Sequence, residues 1–181
     1  KILKYKSIIL HMVNTLFTAN DIDESIKRIS NKIMNEYSPE EEIVIVCLLK
    51  GGLVFTSDLI RKIDRTIHVD FMLVSSYGNN FESSGNINIK LDISMDIHNK
   101  NVIVIDDIID TGNTLFEIKK HLQKKTPKSI ELCCLLDKSE RRVKDINIDY
   151  IGLPCPNKFV VGYGMDAYGI YRNLPYIGYL N

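Results

Sequence analysis

The chain has 181 residues, 45% hydrophobic and 25% charged, which is the composition of one ordinary globular domain. Its 23 Lys and Arg residues balance 23 Asp and Glu residues, and this zero net charge argues against nucleic acid as the main partner. No apolar run in the sequence approaches membrane-spanning length, so we expect no membrane partner. The four cysteines lack a CxxC spacing and fit free thiols in a reducing compartment, which makes cytoplasm the expected location.

Apolar periodicity divides the chain into alternating helices and strands. Residues 20–37 carry Ile at spacings of three and four, which predicts an amphipathic helix with Asn20 or Asp21 as its cap. The continuous apolar run at 43–49 predicts a central strand buried on both faces. Further strands are predicted at 68–75, 87–91, 102–105, 129–136 and 148–152, and further helices at 53–63 and 114–125. This alternation predicts an α/β fold around a mostly parallel sheet.

Two segments lack regular periodicity. Residues 77–88 are polar and rich in Gly, Asn and Ser, which predicts a long loop of the kind that often covers an active site. The tail from residue 157 is rich in Gly and Tyr, and we expect it to fold over the carboxyl edge of the sheet. We therefore expect a single domain over 1–181, with a small hood built mainly from 153–181 and with 1–19 as a further candidate.

The most informative string is VIVIDDIIDTGNT at residues 102–114. Ligands bind at the carboxyl ends of strands in α/β sheets, so Asp106, Asp107 and Asp110 are placed for chemistry. Gly112 lets backbone N–H groups approach an anion, and the helix that follows presents its positive end. Carboxylates beside a phosphate cradle favour a divalent metal, a polyhydroxyl sugar, or both. Two other interpretations of the string are a simple βα connection with solvated Asp caps and the acidic pocket of a receiver-type signalling domain.

This string closely resembles the phosphoribosyl pyrophosphate (PRPP) signature of the type I phosphoribosyltransferases. The resemblance implies that family's fold, a mostly parallel sheet flanked by helices with a small hood. It also implies that Asp106 and Asp107 engage the ribose hydroxyls and the shell of a Mg²⁺ ion, while Asp110 accepts a proton from a purine. Two residues depart from the family pattern: Asp106 stands where many members have Glu, and Asn113 where some have Lys.

A Lys-Gly-Gly turn follows the first central strand. A plain turn is one interpretation, but a double Gly also allows backbone amides to face pyrophosphate. The resemblance adds a non-proline cis peptide bond between residues 49 and 50. The residues that it assigns to PRPP and its phosphates are Lys50, Gly51, Asp106, Asp107, Ile109, Asp110, Thr111, Gly112, Asn113, Thr114 and Arg172.

A Ser-Tyr pair opens the polar loop. By chemistry alone this pair fits any solvated turn. In the purine-specific members of the family, such a pair lies on a flexible loop that closes over the reaction. The resemblance therefore implies that Ser76 and Tyr77 belong to a lid that excludes water from the reactive ribosyl centre.

The second half of the chain resembles the purine-binding half of the hypoxanthine-guanine phosphoribosyltransferases. Taken singly, Lys138 fits a solvated surface lysine and Phe159 fits a core side chain. The resemblance implies that Lys138 donates to O6 of a 6-oxopurine and that Phe159 stacks on the base. It also implies that the Val160 backbone reads the base edge, that Asp166 contacts base and metal, and that Arg172 binds pyrophosphate.

The resemblance spans about residues 48–178 and implies purine salvage, in which PRPP and hypoxanthine or guanine give IMP or GMP and pyrophosphate. Mg²⁺ is the expected cofactor, near Asp106, Asp107 and Asp166. A homo-oligomer, dimer or tetramer, is expected because family members commonly form one. An enzyme that accepts xanthine is one alternative, and a regulator that keeps the PRPP site and binds nucleic acid is another. The ranking among the oxopurines stays open, since one lysine and one aromatic ring leave the 2-position unread.

Overall fold

The computed structural model describes residues 13–76 and 87–180. The predicted lid residue Tyr77, most of the polar loop and the first twelve residues of the hood candidate lie outside the described residues. The strands are β1 (Val13–Phe17), β2 (Ile43–Leu49), β3 (His68–Ser76), β4 (Ile87–Leu91), β5 (Asn101–Ile109), β6 (Ser129–Asp137), β7 (Tyr150–Pro154), β8 (Val160–Val161) and β9 (Ile177–Leu180). The helices are α1 (Ala19–Glu36), α2 (Leu53–Ile60) and α3 (Asn113–Gln123), with a 3₁₀ turn at Ser139–Arg141.

Six strands form the central sheet in the order β4-β3-β2-β5-β6-β7. Five neighbouring strands, β3, β2, β5, β6 and β7, are parallel. Strand β4 pairs antiparallel with β3 at one edge of the sheet. Strand β2 is buried along almost its whole length, as the apolar run predicted. Side chains of α1 and α2 pack on one face of the sheet and those of α3 on the other. The predicted α/β fold with a mostly parallel sheet is confirmed.

Helix α1 begins one residue before the predicted start and is capped differently. The cap is Thr18, whose hydroxyl oxygen accepts a hydrogen bond from the Asp21 N–H at 3.2 Å. In return the Asp21 carboxylate accepts one from the Thr18 N–H at 2.8 Å. Asp21 therefore occupies the third helical position of a capping box, and the predicted cap at Asn20 or Asp21 was wrong. The sequence contains both partners, but only their geometry shows which residue is the cap.

Strand β5 continues through the acidic pair to Ile109, four residues beyond its predicted end. The extension has a partner, because β6 pairs with β5 in register as far as Ile109 opposite Asp137. Side chains alternate between the two faces of a strand, so Asp106 and Asp107 start from opposite faces. This alternation decides which part of the site each carboxylate reaches.

Strand β1 and the two tail strands, β8 and β9, form a second, three-stranded antiparallel sheet in the order β1-β9-β8. It shares a hydrophobic core with α1 and α2, and two further contacts attach the tail to the main body. The Tyr163 hydroxyl donates a hydrogen bond to the Asp58 carboxylate on α2. A Cβ atom on Gly164 would lie 2.3 Å from the Gly51 carbonyl oxygen, so the two backbones touch there. Within the described residues, no helix is long and apolar enough to span a membrane.

Candidate active site

The carboxyl ends of β2, β5 and β6 meet at one edge of the sheet. The Lys-Gly-Gly turn follows β2, the phosphate-turn candidate follows β5, and Lys138 follows β6. The Lys138 N–H donates to the Ile109 carbonyl at 3.0 Å, which ties the ends of β5 and β6 together. The parallel topology thus brings together three motifs that lie far apart in the sequence.

The turn after β5 forms a small cavity at the start of α3. Gly112 has φ of +84°, a backbone conformation that favours glycine, and a Cβ atom there would make a tight contact, 3.0 Å from Arg142 Cδ. The Thr111 hydroxyl accepts a hydrogen bond from the Asn113 N–H at 3.4 Å. The cavity measures about 100 Å³ and is lined by Asp106, Ile108, Ile109, Asp110, Thr111, Gly112, Thr114 and Leu115. Its position at a helix N-terminus suits a phosphate group.

The segment after Lys138 braces this turn from outside. The N–H groups of Val143 and Lys144 donate to the Thr111 carbonyl at 3.0 and 3.1 Å. The Arg142 guanidinium donates to the Asp110 carbonyl at 3.2 Å and pairs with the Asp137 carboxylate. Arg142 was not among the site residues predicted from the sequence. The one feature of the sequence that could have indicated it is the pair of consecutive arginines, Arg141 and Arg142, shortly after Lys138.

The two carboxylates of the acidic pair line different cavities. Asp106 lines the small phosphate cavity, and Asp107 lines the larger cavity described below. Asp107 also lies against the double-Gly turn, since a Cβ atom on Gly51 would be 1.8 Å from Asp107 Oδ2. Burial raises the pKa of both carboxyl groups, and the charge on Asp107 raises that of Asp106 further. Among the described residues neither carboxylate forms a salt bridge, although the charge of Arg172 partly offsets the raised pKa of Asp107.

This acid pair suits a magnesium ion that arrives with its substrate. The described residues hold no cluster of three or more metal-ligating side chains. Mg²⁺ in phosphoryl sites commonly uses one or two carboxylates and takes its other ligands from substrate and water. Asp106 and Asp107 supply such oxygens, and a cation would relieve the unfavourable burial of their charge. Asp166, the third predicted metal residue, instead pairs with Arg172 at 2.5 Å.

A second cavity at the same edge measures about 450 Å³, a size that suits a small heterocycle. Both Lys138 and Phe159 line this cavity. Lys138 is only 8% exposed, so it is not a solvated surface lysine, and Phe159 is 59% exposed, so it is not a core residue. The lining residues are Asp107, Ile108, Asp110, Lys138, Arg141, Asn157, Lys158, Phe159, Val160, Met165 and Asp166. All four predicted purine residues line this cavity.

Asp110 lies between two cations in this cavity. Lys138 Nζ is 3.8 Å from one carboxylate oxygen, Oδ2, and Arg141 Nε is 2.8 Å from the other, Oδ1. Oδ1 is buried and accepts no hydrogen bond of acceptable geometry from any described residue. Arg141 Nε approaches this oxygen at ion-pair distance but without hydrogen-bond geometry, so the oxygen can still accept a hydrogen bond from a ligand N–H. Sequence reasoning missed Arg141, Asn157 and Lys158, although all three lie inside or beside the motifs that it quoted.

Arg172 lies beside the purine-sized cavity rather than in its lining. It pairs with Asp166 at 2.5 Å and donates to the Gly164 carbonyl at 2.6 Å. It also borders a cavity of about 620 Å³ between α1, α2 and the tail. That cavity is the larger one, but its charges are already paired, as in Asp58 with Arg61 and Asp23 with Lys62. The chemistry therefore belongs to the carboxyl edge.

The remaining predicted residues fall as follows. The Leu49–Lys50 peptide bond is cis, and the Lys50 side chain is exposed beside Gly51. Ser76 is the last residue of β3 and is paired with Ile87 of β4.

The fold and the site together define a phosphoribosyltransferase, and the comparisons agree. Residues 13–167 match the family described as the phosphoribosyl transferase domain. A hypoxanthine-guanine phosphoribosyltransferase of Aquifex aeolicus is 48% identical over 160 residues, which cover 88% of this chain and 90% of that protein. A hypoxanthine phosphoribosyltransferase of Buchnera aphidicola is 40% identical, with 93% and 96% covered.

Solved structures give the same result. The crystal structure of a Staphylococcus aureus hypoxanthine phosphoribosyltransferase matches with a TM-score of 0.92 and 42% identity, covering 96% of this chain and 95% of that one. A hypoxanthine-guanine phosphoribosyltransferase of Bacillus anthracis matches with a TM-score of 0.89 and 42% identity, covering 93% and 98%. The chain belongs to the hypoxanthine-guanine phosphoribosyltransferase family. The family and fold predicted from its sequence are thereby confirmed.

Proposed function

We propose that this chain transfers the 5-phosphoribosyl group of PRPP to hypoxanthine or guanine, and releases IMP or GMP and pyrophosphate. The observation that carries the proposal is the meeting of Asp110 and Lys138 in one purine-sized cavity, directly beside the glycine turn. The two cavities share Asp110, so a sugar phosphate in one and a base in the other would be neighbours. This arrangement suits the joining of a base to a phosphorylated sugar.

The phosphate turn anchors the substrate. Backbone N–H groups at the start of α3 and the Thr111 and Thr114 hydroxyls would hold the 5′-phosphate. The Lys50-Gly51 turn and Arg172 would face the pyrophosphate. For Arg172 this requires an exchange of partners, since its guanidinium lies on the Asp166 carboxylate. Anchoring both ends of PRPP would hold its reacting carbon toward the purine cavity.

In the reaction, the bond between ribosyl C1 and the pyrophosphate oxygen breaks and a bond from C1 to purine N9 forms. C1 carries positive charge as pyrophosphate leaves with the bonding electrons. The base loses its N7 proton as N9 attacks, and Asp110 would accept that proton at its carboxylate. The buried Oδ1 accepts no hydrogen bond of acceptable geometry from the described residues, which supports this role because this oxygen can still accept one from the base.

Mg²⁺ is the proposed cofactor. When bound with PRPP it supplies charge neutralisation to the departing pyrophosphate. Asp106 and Asp107 would hold it together with the ribose hydroxyls, and Asp166 would contribute through its carboxylate once Arg172 turns to the pyrophosphate. Ser76 and Tyr77 would begin the lid that excludes water from the ribosyl centre.

Lys138 sets the proposed preference for 6-oxopurines. An ammonium donates hydrogen bonds and accepts none, so it suits a carbonyl at C6 and disfavours the amino group of adenine. Phe159 would stack on the base, and the Val160 backbone would read its edge. None of these groups is assigned to the 2-position, so xanthine is a second substrate to test.

We further propose that the enzyme is cytoplasmic and forms a homo-oligomer, a dimer or tetramer, as is common in the family. All four cysteines are buried and free, which supports a reducing compartment. Light scattering coupled to size exclusion measures the oligomer directly.

The test of this function is pyrophosphate release with PRPP and Mg²⁺, with hypoxanthine, guanine, xanthine and adenine in parallel. We expect turnover with oxopurines and none with adenine. Asp110→Asn should lower kcat by about 10²–10⁴-fold. Asp64→Asn, an exposed carboxylate outside the site, is the matched control. Absence of turnover with every base, despite measurable PRPP binding, would refute the enzyme and favour the nucleic-acid-binding alternative.

A further inference from the structure

Arg141 contacts the carboxylate of Asp110, the proposed general base, at the oxygen that Lys138 does not face. Its Nε atom lies 2.8 Å from Asp110 Oδ1, whereas Lys138 Nζ lies 3.8 Å from Oδ2. The first distance is that of a contact ion pair, and the second exceeds hydrogen-bond length. Asp110 is therefore held by Arg141 and only approached by Lys138.

The backbone explains why both cations reach one carboxylate. Lys138 directly follows the last residue of β6, and the 3₁₀ turn Ser139–Arg141 comes next. The Arg141 N–H closes this turn by donating to the Lys138 carbonyl at 3.0 Å. The next residue, Arg142, donates a hydrogen bond from Nε to the Asp110 carbonyl oxygen at 3.2 Å and so fixes the Asp110 main chain. Consecutive arginines thus hold Asp110 at both its backbone and its side chain.

Arg141 also spans the cavity. Its Nη1 donates to the Asn157 side-chain oxygen at 3.4 Å, and both residues line the purine-sized cavity. One guanidinium therefore connects the end of β5 to the segment that carries Phe159. A planar group with several fixed donors suits such a bridge, and a flexible ammonium would bridge less well.

We infer that Arg141 is a positioning residue that holds the Asp110 carboxylate away from Lys138, so that the ammonium stays available for O6 of the purine. Without Arg141, the carboxylate would be free to close the gap of 3.8 Å and form a direct pair with Lys138. In that pair neither the Asp110 carboxylate nor the Lys138 ammonium would be available to the purine. This inference rests on the proposed function, and it adds to that function a residue that no motif of the family resemblance included.

The test compares Arg141→Gln, Arg141→Lys and Asn157→Ala in steady-state kinetics. For Arg141→Gln we expect KM for hypoxanthine to rise about tenfold, kcat to fall, and KM for PRPP to stay near its original value. Arg141→Lys keeps the charge but not the fixed donor geometry and should recover part of the loss, and Asn157→Ala should show a smaller effect in the same direction. Arg61→Gln, an exposed arginine paired with Asp58 on α2, is the control for loss of a surface cation.

The outcomes separate this inference from the function on which it rests. If the unaltered enzyme fails to turn over any oxopurine, the proposed function fails. If it is active and Arg141→Gln changes purine KM and kcat by less than twofold, the inference alone fails. A rise confined to KM for PRPP, or an Arg141→Lys variant as impaired as Arg141→Gln, also overturns it. Should Arg141→Gln not fold, Arg141→Lys and Asn157→Ala still decide, since a structural role predicts loss of Tm without the split between the two KM values.

Discussion

A Cβ atom added to Gly51 would lie 1.8 Å from Oδ2 of Asp107, so the double-Gly turn and the signature strand are in direct contact at the proposed pyrophosphate end of the site. Two motifs separated by more than fifty residues in the sequence thus meet at one point. No side chain fits between them. The glycine is required by space rather than by backbone conformation.

Gly51→Ala should therefore displace Asp107 and lower kcat/KM for PRPP by about 10²-fold, the loss typical of a misplacement near 1 Å. The measurement is pyrophosphate release at varied PRPP, with circular dichroism to check the fold. Gly169→Asn serves as control, because no described residue apart from its chain neighbours has an atom within 4 Å of its Cβ position and Asn tolerates the φ of +81°. Wild-type kinetics in Gly51→Ala would mean that the turn and Asp107 do not act together.

Lys138→Gln tests base selectivity. Glutamine keeps one donor but loses the charge, and a hydrogen bond to a charged group is worth about 1.5–3 kcal/mol. We expect kcat/KM for hypoxanthine to fall about tenfold to a hundredfold, and the preference over adenine to narrow. Competition between the two bases in one reaction measures this ratio. Lys124→Gln, an exposed lysine beyond α3, should behave like the unaltered enzyme. An unchanged ratio would remove Lys138 from purine recognition.

Thr18→Ala tests the capping box of α1. Loss of the cap should lower the free energy of unfolding by about 1 kcal/mol and Tm by a few degrees, with little change in activity, since Thr18 is distant in the sequence from every site motif. Thr18→Ser keeps the hydroxyl that accepts from Asp21 and should retain most of the stability. Equal losses in the two variants would show that the methyl group, not the hydroxyl, matters here.

Asp70→Asn tests a buried carboxylate that holds the loop before β5. Its oxygens accept from the Ser94 and Met95 N–H groups at 2.7 and 2.8 Å and from the Phe71 N–H at 2.8 Å. Burial by itself would raise the pKa of Asp70, but these hydrogen bonds outweigh burial and lower it. Replacement should lower the free energy of unfolding by about 2 kcal/mol at neutral pH.

The pH dependence of this effect follows from its sign. Because the folded-state pKa of Asp70 lies below its ordinary value, the stabilisation is present above about pH 3.9 and is lost as pH falls through the folded-state pKa. Urea unfolding at neutral pH and near pH 3 should therefore show a smaller difference between Asp70→Asn and the unaltered chain at low pH. A difference that is the same at both pH values would contradict the account.

Local pattern predicted the helices and the strands of the central sheet but not their ends, and it missed the short strands β1, β8 and β9 of the second sheet. The Ile spacing of α1 and the apolar run of β2 fix helix and strand, because a period of 3.6 or a fully apolar stretch has few other uses. The end of β5 was missed because the strand continues only where β6 offers a partner, and a partner is not visible in a single segment. The cap at Thr18 was missed for a similar reason, since Asn20 and Asp21 are equally good caps by residue type.

By itself the sequence determined the chain order of the helices and of the central-sheet strands, the phosphate turn with its glycine, and the resemblance that named the chemistry, since each of these depends on neighbours along the chain. The strands of the second sheet, β1, β8 and β9, were not predicted. Only the tertiary structure decided that Lys138 is buried and Phe159 exposed, which reverses what each residue type suggests. It also placed Asp106 and Asp107 in different cavities and set Arg141 against Asp110. Burial and ion pairing depend on which strand ends meet at the sheet edge, and that is a property of packing rather than of any one segment.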